Sequence, residues 1–560
     1  MDIIETTVNM AKKNRLALIS FLCLLPAAAW HYGMVEKASE KVLTRFLVHT
    51  YSLLALIGLT SLLVFYVLLK KCRKAMQYAL FTFLVVMLTG SLYSVVLPPL
   101  AAPDEVSHYI SAYKLSSFLL GEPVCSREGY VLVRAQDLFI EDPYSDAEVL
   151  RQEEGELSYI YRAANENSRL LSQYLDYHSY NAVYNSAETL QAENQYMEYS
   201  GGLARSAYTP VNTTPLIYLP SALGIGMARL LEADSICLLF MGRLGNLLFF
   251  ALGVSVAVYF LPFGREMLMG LIFLPMSLHL AGSYSYDAAI IACVFMFIAY
   301  ILHLTYRKAS VQKRDILFLM LLVCLFGPCK IVYFPLVAFG LIVPMQKFGK
   351  MRNWLLSILC IGGALLAAMY IVNYRIISSY ALEVEALLPY KDAPKYTLQY
   401  LLGKPREFVS LFYLTLLHEL EFYHVSMLGG YLGNIDLQIG APYILVSAMT
   451  LCLFFLSCPY RGEGELRIEK RHYAYGLLLF FGMSFLILLS MLIAWTPMSS
   501  RWIIGVQGRY FLPILPLLLF GFKYLGIKLE KDWSKEIMYI CLCLNIYTLL
   551  YVFSLVSDRY

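Results

Sequence analysis

The run "FLVHTYSLLALIGLTSLLVFYVLL" at residues 46–69 contains no Asp, Glu, Lys or Arg. A helix of about 20 predominantly apolar residues is long enough to span the hydrocarbon core of a bilayer. The charged segment "KKCRK" follows at residues 70–74, and a second apolar run occupies residues 75–97. Long apolar runs separated by short charged connections predict an all-α polytopic membrane protein.

The composition of the whole chain supports this class. Of the 560 residues, 59% are hydrophobic and only 15% are charged, with a mean hydropathy of +0.60. A soluble domain carries about 25% charged residues. The formal net charge is +4, and no basic stripe is interleaved with aromatic residues, so the sequence excludes a nucleic-acid partner.

Lys and Arg in the short connections predict the orientation, because such loops face the cytoplasm. This rule places the N-terminus inside and residues 98–212 outside. Four candidate spans then lie between residues 212 and 306, where an odd number is required. The short pair at 267–282 and 286–304, interrupted by "AGSYSYD", therefore includes an incomplete crossing or forms one broken crossing, and we expect about 13 transmembrane helices. The candidate spans are residues 14–32, 46–69, 75–97, 213–231, 237–261, 267–282, 286–304, 315–329, 331–345, 353–373, 441–457, 473–495, 510–526 and 536–556.

The N-terminal run and the cysteines bear on processing and redox state. The run "MAKKNRLALISFLCLLPAAAW" at residues 10–30 has the charged start and apolar middle of a signal peptide. We interpret it as an uncleaved first span because many spans follow, with a cleaved signal as the alternative. Most of the twelve cysteines lie in apolar runs, and Cys125 alone lies in the largest polar loop. No disulfide framework is predicted.

Two long loops are predicted outside the membrane. The loop 98–212 contains seventeen Asp and Glu against seven Lys and Arg. Its segment "DAEVLRQEEGELSYIYRAANENSRLLSQYL" at residues 146–175 has apolar residues at three- and four-residue spacings, which predicts amphipathic helices. A second outer loop is predicted at about residues 374–440. Its motif "HELEFYH" has histidines six apart, a spacing that does not favour a zinc site on a helix, so no metal site is predicted.

The stretch "PPLAAPDEVSHY" at residues 98–109 stands at the mouth of a span. Asp104, Glu105 and His108 are spaced to share one helical face, which makes them candidate catalytic residues. The alternative is structural, because Pro at the first helical position and acids in the first turn also start a helix well.

Five further residues are candidates for substrate binding near span ends, namely Arg509, Gln507, Arg501, Asp287 and Lys330. Arg509 and Gln507, with Arg501 just before them, stand at the outer mouth of a span, and a guanidinium binds phosphate bidentately. The alternative for Arg509 is snorkelling to ordinary lipid phosphate. Asp287 lies in apolar sequence, where an ionisable residue suggests function, although an N-cap is equally plausible.

Lys330, in "GPCKIVYFPL", lies between two short apolar runs. If these runs form a hairpin, it points to the same side as Asp104 and Arg509. Its alternative is a plain turn lysine.

Six segments in matching order resemble the bacterial predicted-membrane-protein family called domain of unknown function 2142, over about residues 75–526. Residues 1–74 then form an additional two-span hairpin and residues 527–560 a C-terminal span. The segments are "APDEVSH", "TTPLIYLPSALGIGMARLL", "MGRLGNLLFF", "PMSLHLAGSYSYDA", "CKIVYFPL" and "GVQGRYFLPILPLLL".

That family looks like a branch of the GT-C glycosyltransferases, which use lipid-linked sugars at the outer membrane face. The resemblance implies a catalytic base at the start of the first large outer loop, where Asp104 or Glu105 stands. A polyprenyl-phosphate sugar would be the donor and a cell-surface glycan or glycopolymer the acceptor. Arg509, helped by Arg501 or Lys330, would hold the departing phosphate. With these cations a divalent metal is not required, though some GT-C relatives use one. Two alternatives stay open: a transporter or flippase of lipid-linked glycans, and a non-catalytic membrane assembly protein.

Overall fold

The computed structural model describes residues 15–142, 149–154, 157–162, 169–185, 202–382, 394–461, 468–524 and 527–559. Helices dominate these ranges, which confirms the all-α polytopic class. The α-helices are α1 Arg15–Lys41, α2 Phe46–Lys71, α3 Ala75–Val96, α4 Glu105–Leu120, α5 Tyr177–Tyr184, α6 Leu219–Leu230, α7 Ser235–Phe260, α8 Arg265–Ile272, α9 Pro275–Ala281, α10 Tyr286–Tyr306, α11 Lys313–Phe326, α12 Met351–Leu382, α13 Leu398–Gly403, α14 Pro405–Leu428, α15 Tyr443–Ser457, α16 Lys470–Ala494, α17 Leu515–Leu519 and α18 Ser534–Ser557. Short 3-10 helices occupy Ala135–Glu141, Pro215–Tyr218, Ile331–Ile342, Met345–Phe348, Ile435–Leu437, Gly508–Ile514 and Phe520–Tyr524.

Eight described helices are long and apolar enough to cross a membrane, namely α1, α2, α3, α7, α10, α12, α16 and α18. Three shorter apolar helical segments accompany them, at Ile331–Ile342, Tyr443–Ser457 and Gly508–Phe522. The predicted spans at 213–231 and 315–329 are helices of only 12 and 14 residues, α6 and α11. The number of full-length spans is thus smaller than the number of apolar runs, because several runs fold into short pieces.

The suspected irregular crossing lies at residues 267–282. Two helices of 8 and 7 residues, α8 and α9, replace a single span there, whereas α10 is continuous over 21 residues. The break coincides with Pro275, which fits the first position of a new helix but not a helix interior. The Asn545 side-chain amide donates to the carbonyl of Phe273 at 2.5 Å and so satisfies a backbone group that the break releases.

The large loop contains a sheet, and its described residues 149–154 and 157–162 are strands where amphipathic helices were predicted, so the prediction is wrong for these residues. Residues 146–148 and 163–168 of the same predicted segment lie outside the described residues. Strands β1 Leu132–Arg134, β2 Val149–Glu154, β3 Leu157–Arg162 and β4 Leu203–Arg205 form one sheet in the order β1-β4-β3-β2. β2 pairs antiparallel with β3, from Val149 opposite Arg162 to Glu154 opposite Leu157, and β3 pairs parallel with β4. Tertiary pairing with β4 therefore overrides the helical spacing of the apolar residues.

The second predicted loop, at about residues 374–440, contains the 24-residue helix α14. Its apolar side chains are well exposed, with Val409 at 66% and Leu417 at 62%. Four charged residues within α14 lower its hydropathy, which is why the sequence did not indicate a long helix there.

α6 packs closely against α7 through two glycines. A Cβ added at Gly224 would lie 2.1 Å from the carbonyl oxygen of Met241, and one at Gly245 would lie 2.1 Å from that of Pro220. Small residues that let helix backbones approach are typical of membrane helix packing. This contact brings the segment before α6 into the core beside α4 and α10.

The N-terminal hairpin of α1 and α2 packs against the C-terminal helix α18. His31 Nδ1 lies 3.0 Å from Ser554 Oγ, and Lys70 Nζ lies 2.5 Å from Glu536 Oε1. The rings of Tyr51 and Phe553 are 6.0 Å apart. The two ends of the chain therefore form one three-helix layer on the side of the bundle.

A buried ion pair joins the start of α4 to α7. Arg243 donates from Nε and Nη2 to the two carboxylate oxygens of Glu105, at 2.8 and 2.7 Å, and both side chains are at most 1% exposed. The remaining Arg243 N–H groups donate to the carbonyls of Ser94, Leu97 and Pro98. Every donor of the pair has a partner, as a buried charge requires.

Replacing Glu105 with Gln leaves Arg243 as a buried charge without its counter-ion, so Glu105→Gln is expected to lower the free energy of unfolding by about 3–5 kcal/mol. Thermal unfolding of the purified protein in detergent measures the loss. The matched control is Glu128→Gln, because the Glu128 side chain is 50% exposed in its pair with Arg205 and such pairs contribute about 0–1 kcal/mol. Equal melting temperatures for the two variants would contradict this role of Glu105.

Candidate functional site

Three of the predicted site residues meet in one buried cluster. Asp287 Oδ1 lies 2.5 Å from Lys330 Nζ, and Asp287 Oδ2 lies 3.0 Å from Arg509 Nε. The exposed fraction of the side chain is 9% for Asp287, 18% for Lys330 and 7% for Arg509. One carboxylate therefore bridges two cations that come from distant parts of the sequence.

Asp287 lies in the first turn of α10, and the N-cap interpretation of this residue is wrong. The cap is Ser285, whose hydroxyl accepts a hydrogen bond from the backbone N–H of Asp287 at 3.2 Å. Because Ser285 caps the helix, the Asp287 carboxylate is available for the two cations.

Lys330 lies between α11 and the 3-10 helix Ile331–Ile342. The alternative interpretation of Lys330 as a plain turn lysine is wrong, because its ammonium group has specific partners. Its ammonium nitrogen lies 3.9 Å from the ring centroid of Tyr510 and 5.3 Å from that of Tyr286. Cation–π contacts of this kind add to the ion pair with Asp287 in holding the ammonium group in place.

Arg509 is buried, so the interpretation that it snorkels to lipid phosphate is wrong. The preceding Gly508 allows the close approach of this segment to α14, because an added Cβ would lie 1.9 Å from the carbonyl oxygen of Tyr423. The Nε–H of Arg509 is not aligned for a hydrogen bond to Asp287, and its Nη groups donate no hydrogen bond to the residues that the structure describes. The guanidinium thus keeps donor capacity for a further anion.

His108, on α4, faces the same cluster. Its Nδ1 lies 2.6 Å from the hydroxyl of Tyr218, and its ring meets the Tyr286 ring edge-on at 4.6 Å. Burial lowers the pKa of His108 to about 3, and the nearby Asp287 carboxylate opposes this shift only in part. His108 is therefore a neutral hydrogen-bonding group at physiological pH.

Asp104 and Glu105 are adjacent but have opposite environments. Asp104 is exposed, carries no side-chain capping bond and lies within electrostatic range of Arg509. Its φ of 56° is in the left-handed region, which only Asn, Asp and Gly visit with ease. Glu105 is 1% exposed and, besides Arg243, accepts from the backbone N–H groups of Ala102 and Tyr284 at 3.0 Å. Asp104 is therefore the accessible carboxylate of the pair.

The two remaining predicted residues differ in position. Gln507 lines a small cavity together with Arg509, Pro103, His279 and Tyr431. Arg501 is exposed and forms no ion pair within the part of the chain that the structure describes. Gln507 thus belongs with the cluster, and Arg501 does not join it.

A groove of about 770 Å³ opens beside Lys330. Its walls are mostly apolar and come from α16, from Val332 and Phe334, and from Leu398. Its polar lining residues include Lys330, Tyr286, Tyr510, Asn212 and Thr397.

The sequence reasoning missed several residues that build the site. They are Tyr218, Tyr286, Tyr510, His279 and Arg243. All five lie within the segments that carry the family resemblance, as in "TTPLIYLP" and "MGRLGNLLFF", and Tyr510 follows Arg509 directly. Those segments could therefore have pointed to these residues. The sequence alone does not show which residue a tyrosine or an arginine in an apolar run will contact.

The family model described as "Predicted membrane protein (DUF2142)" matches residues 87–518. The chain belongs to the DUF2142 family. No curated protein and no solved structure matches it. All eight predicted site residues lie within the DUF2142 segment, whereas α1, α2 and α18 lie outside it.

Proposed function

We propose that the chain is a GT-C-type glycosyltransferase that takes a sugar from a polyprenyl phosphate and transfers it to a cell-surface glycan or glycopolymer. The observation that carries this proposal is that Lys330 lines a mostly apolar groove and shares the Asp287 carboxylate with a second buried cation, Arg509. This arrangement suits a ligand with an apolar tail and an anionic headgroup.

The groove is suited to the tail of the donor. Its apolar wall includes Leu486, Ile487, Leu489 and Ile493 of α16, a helix that qualifies as a membrane span. Burial of hydrocarbon along these side chains stabilises the complex by about 25 cal/mol per Å² of apolar surface. With the tail in the groove, the phosphate lies at Lys330.

The two cations are suited to the phosphate. Charge develops on the phosphate oxygens as the bond from the anomeric carbon to the phosphate oxygen breaks, and the bonding electron pair leaves with the phosphate. Donors held in place in a buried site stabilise such charge more than water does. Lys330 lines the groove, and the Nη groups of Arg509 donate no hydrogen bond within the described residues, so both cations have capacity to bind the phosphate.

Asp104 is the base in this proposal. The acceptor hydroxyl attacks the anomeric carbon, a new carbon–oxygen bond forms, and the hydroxyl proton passes to the Asp104 carboxylate. Direct attack from the side opposite the phosphate inverts the anomeric configuration. Glu105 is unsuited to the role, because all its contacts are with buried N–H donors.

A transporter is the competing function, and the interrupted pair α8 and α9 favours it, since broken helices often line transport sites. The break lies against Asn545 of α18, however, which satisfies the Phe273 carbonyl. The charged cluster instead involves Asp287 of α10 with Lys330 and Arg509, and Lys330 lines the groove. This placement favours transfer over transport.

The proposal requires the large loop to lie outside the cell membrane and the N-terminus to lie in the cytoplasm. A cysteine at exposed Thr209 should react with a membrane-impermeant maleimide on intact cells, whereas a cysteine at exposed Lys350 should react only after lysis. The parent for both is a variant with serine at the exposed Cys23, Cys237 and Cys360. Labelling of Lys350→Cys but not Thr209→Cys on intact cells would reverse the orientation and exclude an outer-face enzyme.

Asp104→Asn is expected to reduce sugar transfer by ~10²-fold or more, since it removes a general base. Asn also tolerates the left-handed backbone at this position, so expression and thermal stability should stay unchanged. The measurement is transfer from a defined polyprenyl-phosphate sugar by the purified protein, with Glu128→Gln as the control in the same loop. Full activity of Asp104→Asn would remove Asp104 from the reaction.

Arg509→Lys is expected to lose most transfer although the positive charge remains. Lysine provides a point charge, whereas the planar guanidinium fits two phosphate oxygens at once. The matched control is Arg501→Lys, which changes an exposed arginine outside the cluster and should keep activity in the same assay. If Arg509→Lys and Arg509→Ala are both fully active while Arg501→Lys is not, the phosphate is held at Arg501 instead.

A further inference from the structure

The Asp287 carboxylate contacts two cations, with one oxygen for each. Oδ1 pairs with Lys330 and Oδ2 with Arg509. The two non-bridging oxygens of a phosphate ester have the same V-shaped arrangement and carry the same kind of charge. The carboxylate therefore makes the contacts that a phosphate headgroup would make at these cations.

The charge balance of the cluster gives this arrangement a physical reason. Lys330 and Arg509 carry two positive charges in a site where the side chains are at most 18% exposed. Neutral His108 adds no charge there. Unpaired buried charges are costly, so an empty phosphate site built from two cations needs an internal anion.

We propose that Asp287 is an internal counter-ion that occupies the phosphate site between reactions and is displaced from Lys330 and Arg509 by the donor headgroup. The inference rests on the proposed function only in taking a phosphate ester as the ligand. It assigns Asp287 a regulatory role and no contact with the sugar.

The position of Asp287 allows its carboxylate to leave the cations without losing all stabilisation. It lies in the first turn of the 21-residue helix α10, where the helix dipole favours a negative charge. The displaced carboxylate thus stays near a positive end while the phosphate takes its place.

The lipid product carries a different charge from the donor. Transfer converts a phosphodiester with one negative charge into a phosphate monoester that carries a larger charge near neutral pH. The monoester binds the two cations more strongly than the donor does and would inhibit the enzyme. Return of Asp287 to Lys330 and Arg509 competes with the product and promotes its release.

The test measures binding of polyprenyl monophosphate to the purified full chain in detergent, by calorimetry and by ligand-induced thermal shift. Asp287→Asn is expected to bind this lipid ~10-fold more tightly or better, because removing a charge about one ion-pair distance away abolishes the competition. Without the lipid, its melting temperature should be lower than that of the wild type. Asp287→Glu keeps the charge and should bind as the wild type does.

The matched control is Asp315→Asn. Asp315 is also a carboxylate in an ion pair, with Lys308, and its side chain is not exposed. This variant should be destabilised, but its lipid affinity should stay at the wild-type value. Asp287→Ser removes the same charge and takes the place of Asp287→Asn if the latter cannot be purified.

Equal or weaker lipid binding by the charge-removing variants would overturn the inference, because Asp287 would then only position the two cations. Neutral polyprenol and inorganic phosphate are the probes that separate the tail from the headgroup. Binding of polyprenol as tight as that of polyprenyl monophosphate would overturn the phosphate site itself. Tighter lipid-phosphate binding by Asp287→Asn without any sugar transfer by the wild type would contradict the proposed enzyme and leave the counter-ion inference standing.

Discussion

The buried pair of Glu105 and Arg243 is the interaction on which the arrangement of the site depends. Glu105 accepts from the N–H of Ala102 on one side and from the N–H of Tyr284 on the other. The first contact fixes the segment that presents Asp104, and the second fixes the turn that precedes Asp287. One carboxylate with no access to solvent thus sets the distance between an exposed acid and a buried one.

Much of the fold followed from the sequence because bilayer thickness imposes a simple rule on apolar runs. The spans that became α2, α3, α7, α10 and α16 agree closely with the runs from which they were predicted. The rule fails where a run is interrupted by proline or is too short, as at α8 and α9. It also carries no information about the large loop, where strand pairing between β3 and β4 joins residues more than forty positions apart.

The candidate site could be predicted residue by residue but not as a set of contacts. Asp287 was recognised as an ionisable residue in apolar sequence, Lys330 as a cation between two short apolar runs and Arg509 as a cation at the mouth of a span. All three are local properties. Whether Asp287 capped a helix or paired with a cation depended on Ser285 beside it and on partners far along the chain. The same limit applies to Asp104 and Glu105, which are adjacent acidic residues in the sequence. In the structure Asp104 is exposed and Glu105 is buried.

The packing of α1 and α2 against α18 has a consequence for how the protein is made. Translation delivers the N-terminal hairpin to the membrane first and α18 last of the described helices. The contacts of His31 with Ser554 and of Lys70 with Glu536 can therefore form only after α18 has been synthesised. Until then, His31 and Lys70 lack the contacts with α18 that they make in the complete structure. A chain that stops before α18 therefore leaves the faces of α1 and α2 that pack on this helix without their partner.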